Sequence, residues 1–483
     1  MKTENSLPIT LIKKWFKELC EFGSIPNNVF QSDQIKDNAV YLQKILKREG
    51  FAVQTWDTPS GKPFVFANIE YSKKLPTLLI YSHFDGVPVD RDQWSTDPFV
   101  PTIKNITGEE VDVDKAFMSP EKHRVYARSI ADSKNAVISI LAALDRLKSQ
   151  GVRPGVNLKI LLDGEEELES PYLRQIVVDH QRELEADIVI SASGEMHQSG
   201  QPTIAFGVRG ALTLDLHLYT ATSDMHSGHF GGFTPNAALE MARLLANMKS
   251  KDGKVLISGF YNDVKKLTNE ELRFLEGIPK IEKMICDQFA IRQPEQAYSL
   301  QELINMPAFN VRGLQAGYVG EKASNIIPTY AQASLDIRLV SGMKPEKILQ
   351  SIIKHIGSEG VHVSTERPSP NLLKRYGSTV HIEPNGSFKA MKTDMFLELP
   401  GKILQVVQQS GPEAWVVEPT EGGSLNFEIF QEHDMPLITL PVSNYDCNQH
   451  THNENLRLDY FLRGIKIFRE LFEFKSEFPF PAR

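Results

Sequence analysis

The chain has 483 residues, 41% hydrophobic and 24% charged, which predicts a globular protein of two or three domains. Its formal net charge of −8 disfavours nucleic acid as the natural partner, because phosphate binding normally requires a basic patch. No apolar stretch approaches the roughly 20 residues needed to cross a bilayer, so we expect no membrane partner.

The cysteines and the N-terminus favour a cytoplasmic protein. Cys20, Cys286 and Cys447 lie far apart and form neither a CxxC pair nor a disulfide framework, which favours a reducing compartment. The N-terminal segment MKTENSLPITLIKKWFKELCEFG lacks an uninterrupted apolar core and a small-residue cleavage site. We therefore expect an amphipathic helix here and not a signal peptide.

The first two hundred residues alternate short apolar runs with helical patterns. Residues Thr77–Tyr81, Leu158–Leu162 and Asp187–Ser191 are predicted to be buried strands, and Lys134–Lys148 carries apolar residues at helical spacing. This alternation predicts an α/β domain, in which helices cover both faces of a mostly parallel sheet.

The pattern changes near Gly210. In Ala211–Thr220 and again in Gln332–Leu339, apolar and polar residues alternate with a period of two, which is typical of antiparallel strands with one buried face. Two amphipathic helices, Pro235–Ser250 and Pro345–Ile356, accompany these strands.

The change of pattern predicts two domains. An α+β domain over residues 210–385 is inserted into the α/β domain, which comprises residues 1–209 and 386–483. We expect the α/β domain to resume with Lys402–Gln408 and Met435–Leu440 and to end in a helix from Leu456.

Ionisable residues follow each predicted strand of the α/β domain, where the reactive groups of such sheets gather. They are His83 and Asp85 after the first strand, Glu165, Glu166 and Glu167 after the second, Glu195 after the third, Asp132 before the first helix, and His450, Asn453 and Glu454 in a late loop. Carboxylates that lie close together raise one another's pKa, so such a cluster requires counter-charge. One or two divalent cations would supply it, and mixed His, Asp and Glu ligation suits zinc, manganese or cobalt.

Each of these residues also has an ordinary structural explanation. A single histidine after a strand is more often a hydrogen-bonding residue than a ligand, and an acidic run is usually a solvated turn. Asp132, before a helix, could simply cap that helix or interact with its dipole. The occurrence of all of them at successive strand ends favours a metal site.

The order and the local amino-acid sequence of these segments resemble those of the M20 family of metallopeptidases, particularly its dipeptidase branch, over nearly the whole chain. The matching segments are HFDGVPVD at 83–90, ARSIADSKN at 127–135, the Glu166–Glu167 pair, DMHSGHFGG at 224–232, SNIIP at 324–328 with DIRL at 336–339, EGGS at 421–424 and QHTHNENL at 449–456.

The resemblance implies two divalent metal ions, expected to be zinc, with manganese or cobalt as alternatives. The implied ligands are His83 and His450 as terminal ligands, Asp132 as the bridge and Glu167 on one metal. Glu166 would be the general base that takes a proton from the metal-activated water. Asp85 would hydrogen-bond His83 and fix its tautomer.

In this family the inserted domain is a ferredoxin-like lid that mediates homodimerisation. His226 matches the histidine that reaches a neighbouring active site to stabilise the oxyanion, and Arg338 resembles the residue that binds the substrate carboxylate. Gly422, Gly423 and Ser424 could offer backbone N–H groups to a carboxylate. Without the resemblance, these residues would be interpreted as a loop histidine, a solvated strand arginine and a plain turn.

Departures from the family pattern cluster near the implied metals. Ser129 and Glu169 stand where glycine is usual, and Ser133 stands where a second aspartate is frequent. The remaining terminal ligand is normally an acid at or near Ser193. Here the nearest acid is Glu195, which we expect to serve in its place.

These observations predict a metallopeptidase that cleaves dipeptides or terminal amino acids. One alternative is an amidohydrolase that deacylates N-acyl amino acids, because the same chemistry serves any such amide. Another is a catalytically impaired relative that only binds its ligands. The chain lacks GxxxxGK[ST], GxGxxG, GxSxG and HExxH, which disfavours nucleotide-dependent enzymes, serine hydrolases and gluzincins.

Overall fold

The computed structural model describes residues 7–409 and 413–474, so the first six residues of the predicted N-terminal helix lie outside the described part. The chain forms two compact units. The first comprises Met1–Gly207, Thr393–Glu418 and Ile429–Arg483, and the second comprises Val208–Lys392 and Pro419–Glu428. These bounds differ from the predicted ones mainly at 419–428, because Glu421–Ser424 pairs with the first strand of the second unit.

The α-helices of the described residues follow in chain order. They are α1 Ile9–Gly23, α2 Ser32–Arg48, α3 Val113–Ala116, α4 Asn135–Ser149, α5 Leu173–Asp179, α6 Gln181–Leu184, α7 Ser227–Phe230, α8 Ala237–Met248, α9 Asn269–Gly277, α10 Glu282–Gln288, α11 Leu300–Ile304, α12 Pro345–Ser358, α13 Pro370–Tyr376, α14 Glu398–Gln409, α15 Glu428–Glu432 and α16 Leu458–Glu473. Within the described ranges, no helix combines the length and apolar character that crossing a membrane requires.

The strands of the described residues follow in the same way. They are β1 Ala52–Trp56, β2 Phe64–Ile69, β3 Thr77–His83, β4 Thr102–Asn105, β5 His123–Tyr126, β6 Asn157–Asp163, β7 Ile188–Ser191, β8 Thr203–Ala205, β9 Gly207–Tyr219, β10 Met225–His226, β11 Ala308–Ala316, β12 Ile326–Ile327, β13 Tyr330–Leu339, β14 His362–Ser364, β15 Thr379–Phe388, β16 Met391–Lys392, β17 Val416–Glu418, β18 Glu421–Ser424, β19 Leu437–Thr439 and β20 Asn455–Arg457.

The first unit is built on an eight-stranded sheet with the order β1-β2-β6-β3-β7-β19-β8-β17. Its centre, from β6 to β19, is parallel, whereas β1, β2 and the β19–β8 pair are antiparallel. Both β3 and β7 are almost entirely buried, as expected when both faces of a sheet are covered. The predicted α/β class is confirmed.

The second unit is an α+β unit around a largely antiparallel sheet with the order β11-β13-β9-β15-β14. The predicted alternation is present, since one face of β9 and β13 is buried against the helices α8 and α12. That core includes Leu212, Leu214, Leu216 and Leu218 of β9 and Ala333, Leu335, Ile337 and Leu339 of β13. The opposite face of the two strands carries their polar residues.

Candidate metal centre and active site

Neighbouring strands of the first unit end at the same edge of the sheet. Strand β3 pairs in parallel with β6 and with β7, and His83, its last residue, lies opposite Asp163 in the register. Glu166 and Glu167 lie in a short 3-10 turn that follows β6. The parallel pairing therefore brings the predicted histidine and glutamates to one edge, as the sequence indicated.

Asp132 lies at the centre of this cluster and faces two imidazoles. Its Oδ1 is 3.0 Å from Nε2 of His83, and its Oδ2 is 3.2 Å from Nε2 of His450. His450 Nε2 is also 3.0 Å from Oε2 of Glu167. The ligating atoms of Asp132, Glu167 and His450 all lie within 4.8 Å of one another. Each oxygen of Asp132 thus faces a different imidazole nitrogen, and a carboxylate placed in this way could contact two cations.

Asp85 contacts both His83 and the backbone of Glu167. Its Oδ1 lies 3.2 Å from Nδ1 of His83, and its Oδ2 accepts the backbone N–H of Glu167 at 3.0 Å. Asp85 is completely buried and His83 nearly so. With Nδ1 facing the Asp85 carboxylate, His83 presents Nε2 to Asp132 and to the hydroxyl of Ser133, 2.9 Å away. A carboxylate in this position fixes the ring orientation and tautomer of a metal-binding histidine.

The charges of the cluster fit a divalent cation. Burial raises the pKa of Glu166 to about 8 and also raises the pKa of Glu167. Hydrogen bonds to Asp132 and Glu167 raise the pKa of His450 to about 10, so the carboxylates attract positive charge to this position. Burial alone would raise the pKa of Asp132, but the hydrogen bonds from His450 and His83 outweigh it and hold that pKa below its usual range. Imidazole and carboxylate donors suit zinc, manganese or cobalt.

The family model of Peptidase family M20/M25/M40 matches residues 79–473, which include every residue of this cluster. The chain belongs to this family. The chain is therefore a metal-dependent hydrolase of peptide bonds, as predicted, and the deacylase alternative is not favoured.

Curated and solved relatives agree with this family. The Cys-Gly metallodipeptidase dug1 of Schizosaccharomyces pombe is 26% identical over 84% of this chain and 81% of its own length. The human Beta-Ala-His dipeptidase is 23% identical over 85% of this chain and 77% of its own length. The metallo-carboxypeptidase Sso-CP2 from Sulfolobus solfataricus superimposes with a TM-score of 0.77 at 26% identity, over 95% of this chain and 98% of its own. The di-peptidase Dug1p from Saccharomyces cerevisiae gives a TM-score of 0.74 at 21% identity, over 97% of each chain.

Two departures from the family pattern coincide with left-handed backbone. Ser129 has a φ of 57° and Glu169 a φ of 64°, at two positions where the resemblance leads us to expect glycine. A side chain in this region costs about 1–2 kcal/mol relative to glycine. At Ser129 the backbone N–H donates to Oε2 of Glu454 at 2.8 Å, which helps to hold the conformation.

Glu454 joins the two loops that carry Asp132 and His450, a role that the sequence analysis missed. Its carboxylate is buried and accepts four hydrogen bonds, from Nη1 of Arg128 at 2.8 Å and from the backbone N–H groups of Ser129, Ala131 and Asp132 at 2.8, 3.0 and 3.1 Å. Nη2 of Arg128 donates to the carbonyl of Thr451, next to His450, at 2.8 Å. The only signal in the sequence was an acid in the late loop.

Glu195 is paired with a cysteine. The Sγ of buried Cys447 donates to Oε1 of Glu195 at 3.1 Å, and burial raises the pKa of Glu195 to about 7. Glu195 is not one of the three residues, Asp132, Glu167 and His450, whose ligating atoms lie within 4.8 Å of one another. Its assignment as a metal ligand stays a prediction.

We expect Glu195→Ala to lower the number of metal ions bound per chain, because it removes the acid that is nearest to the usual ligand position. Metal content after dialysis, measured by inductively coupled plasma mass spectrometry, checks this. Cys447→Ser is the matched control, because it keeps a donor to Glu195 and should leave the metal content unchanged. Full metal content in Glu195→Ala would remove this residue from the ligands.

The other predicted residues lie in the second unit. His226 is exposed at the end of β10, and its Nδ1 accepts the backbone N–H of Gly228 at 3.0 Å. Arg338, on the polar face of β13, donates from Nε to Asp336 at 3.1 Å. Gly422, Gly423 and Ser424 form most of β18, which runs parallel to the start of β9. Their catalytic and binding roles stay predictions.

Proposed function

We propose that the chain hydrolyses unblocked dipeptides, or removes terminal amino acids from small peptides, at the cluster around Asp132. The observation that carries this proposal is the placement of two imidazoles on the two oxygens of Asp132, with the carboxylate of Glu166 beside them. The names of the dipeptidase relatives point to the same substrate class.

Two divalent ions, with zinc as the first candidate, fit the donor set. His83 and His450 would each hold one ion, Asp132 would contact both, and Glu167 and Glu195 would complete the ligands. When bound, such ions lower the pKa of water and polarise the scissile carbonyl. A bacterial relative of the same fold, the YXEP protein of Bacillus subtilis, is described as a dinuclear metal binding peptidase.

Glu166 is the residue that moves the proton. Its Oε2 lies 3.8 Å from Nε2 of His83, and the carboxylate is largely buried without being locked in an ion pair with a lysine or arginine of the described residues. The raised pKa of Glu166 suits a group that takes a proton from water and then delivers it to the leaving amine. Asp85 acts indirectly, by holding the imidazole of His83 in place.

The second unit supplies substrate recognition in this proposal. Arg338 would bind the free carboxylate of the substrate, and the N–H groups of Gly422, Gly423 and Ser424 would assist it. His226 would stabilise the oxyanion in the active site of a partner subunit, which requires a homodimer formed through this unit. Light scattering of the purified protein checks the oligomeric state, and a monomeric mass would contradict the role of His226.

The test of the function is hydrolysis of a substrate panel by metal-stripped protein, with zinc, manganese or cobalt added back. We expect the stripped protein to be inactive and the added metal to restore cleavage of unblocked dipeptides, while N-acyl amino acids are cleaved slowly or not at all. Cleavage confined to N-acyl amino acids would instead establish a deacylase. No cleavage with any metal would contradict the proposal.

A further inference from the structure

Residues 58–63, in the loop that connects β1 to β2, pack against the turn at residues 163–170. This turn carries the proposed general base and one proposed metal ligand. A Cβ atom on Gly164, at the start of the turn, would lie 2.6 Å from the carbonyl oxygen of Pro63. The two backbones are therefore in close contact, which only a glycine at this position permits.

A buried ion pair joins the same loop to the turn. Nζ of Lys62 lies 3.1 Å from Oε2 of Glu165, and the two side chains are only 10% and 1% exposed. Within the described residues Lys62 is the only donor to this carboxylate, and the other oxygen, Oε1, is buried without a hydrogen-bond partner. Because loss of one member of a buried pair leaves the other charge uncompensated, the position of Glu165 depends on Lys62.

The backbone groups of Glu165 shape the turn. Its N–H donates to Oδ1 of Asp163 at 2.9 Å, and its carbonyl accepts the N–H groups of Leu168 and Ser170 at 3.2 and 3.3 Å. The proposed base and the proposed ligand follow Glu165 directly in the chain. A movement of Glu165 towards water would therefore displace both of them.

The turn has a backbone conformation that its own sequence does not favour. Glu169 and Ser170 have φ angles of 64° and 48°, in the left-handed region where a side chain is unfavourable. The hydroxyl of Ser170 lies 3.2 Å from that of Tyr81, which donates to Asp163 at 2.9 Å. Contacts with neighbouring segments thus hold the turn, and the ion pair of Lys62 is one of them.

We propose that Lys62 is a positioning residue for the hydrolysis. Its ion pair with Glu165 holds the turn so that the proposed base and the proposed ligand face the cluster around Asp132. This inference rests on the proposed function, which gives those two glutamates their roles. If the ion pair only added stability, its loss would lower the free energy of unfolding without changing the metal affinity or the kcat of the folded protein.

The test measures the metal affinity and the kinetics of Lys62→Met, which removes the charge and keeps the apolar stem. We expect the affinity for zinc, titrated into metal-stripped protein against a chelator, to fall by about 10- to 100-fold, as for other residues that orient ligands. In fully metal-loaded protein, kcat on a dipeptide should fall by about 10- to 100-fold because the base is displaced, whereas KM should change by less than about twofold. Lys62→Arg keeps the charge and should recover part of both losses.

Two further variants separate the ion pair from other effects. The double variant Lys62→Met, Glu165→Met removes both charges, and apolar side chains often replace a buried pair without loss, so it should recover most of the metal affinity. Lys14→Met removes a lysine from an ion pair with Asp145 in the same unit and should change neither metal affinity nor kcat. A double variant as weak as Lys62→Met would overturn the proposal, and so would unchanged metal affinity and kcat in Lys62→Met.

Hydrogen exchange measures the order of the turn without metal or substrate. In Lys62→Met the amides of residues 163–170 should exchange faster than in the wild type, whereas those of α1 should exchange at the wild-type rate. Unchanged exchange in the turn would overturn the role of Lys62, whatever the protein cleaves. A wild-type protein that binds no metal and cleaves no dipeptide would contradict the proposed function alone. Thermal melting verifies that each variant is folded.

Discussion

We expect Glu166→Gln to lower kcat by about 10²- to 10⁴-fold, the usual contribution of a general acid–base group. The amide has nearly the shape of the carboxylate but cannot take a proton from water. Because Glu166 contacts His83 only at 3.8 Å and is not one of the three residues whose ligating atoms lie together, metal content should stay at the wild-type level. Steady-state kinetics on a dipeptide and metal analysis of the same preparation measure the two quantities.

Glu169→Gln is the matched control for Glu166→Gln. Glu169 follows in the same loop, is exposed, and loses the same charge by the same substitution. We expect its kcat to stay within about twofold of wild type, because an exposed charge in water is strongly screened. Near-normal activity of Glu166→Gln would rule out the proton-transfer role. Loss of metal from Glu166→Gln would indicate that Glu166 is a metal ligand.

Strands and helices with a clear local hydrophobic period could be predicted from the sequence. The buried strand predicted at Thr77–Tyr81 is β3, and the helix predicted at Lys134–Lys148 is α4, displaced by one residue at each end. Because parallel strands align their carboxyl ends, the positions of His83 at the end of β3 and of Glu166 after β6 were enough to place them together.

Residues that act through distant contacts were not predictable. The ion pair of Arg128 and Glu454 joins residues 326 positions apart, and neither residue stands in a local pattern that would indicate burial. The 26 residues Thr393–Glu418 belong to the first unit, but the short strand β18 that comes after them belongs to the second. The reason is again a distant contact, the pairing of β18 with β9. Between 253 and 310 the helices α9, α10 and α11 are short, so no hydrophobic period extends far enough to be recognised.

We expect Glu454→Ala to lower the free energy of unfolding by about 3–5 kcal/mol, because it leaves the Arg128 guanidinium buried without an anion. Three backbone N–H groups next to Asp132 lose their acceptor at the same time. Since the same carboxylate connects the loops of Asp132 and His450, metal affinity should fall by about 10- to 100-fold, as for other residues that orient ligands. Urea unfolding and metal titration of the folded variant measure these effects.

Two further variants separate an effect of Glu454 on the positions of the Asp132 and His450 loops from its effect on the stability of the fold. Glu21→Ala removes a carboxylate from an exposed ion pair with Lys17 on α1, and we expect it to change stability by less than about 1 kcal/mol. Glu454→Gln keeps one oxygen acceptor for the backbone, so it should be more stable than Glu454→Ala and yet bind metal more weakly than wild type. Normal metal affinity in Glu454→Gln would mean that the Arg128–Glu454 pair stabilises the fold without setting the ligand positions. Weakened affinity at near-normal stability would mean that the loops of Asp132 and His450 depend on this buried pair for their geometry.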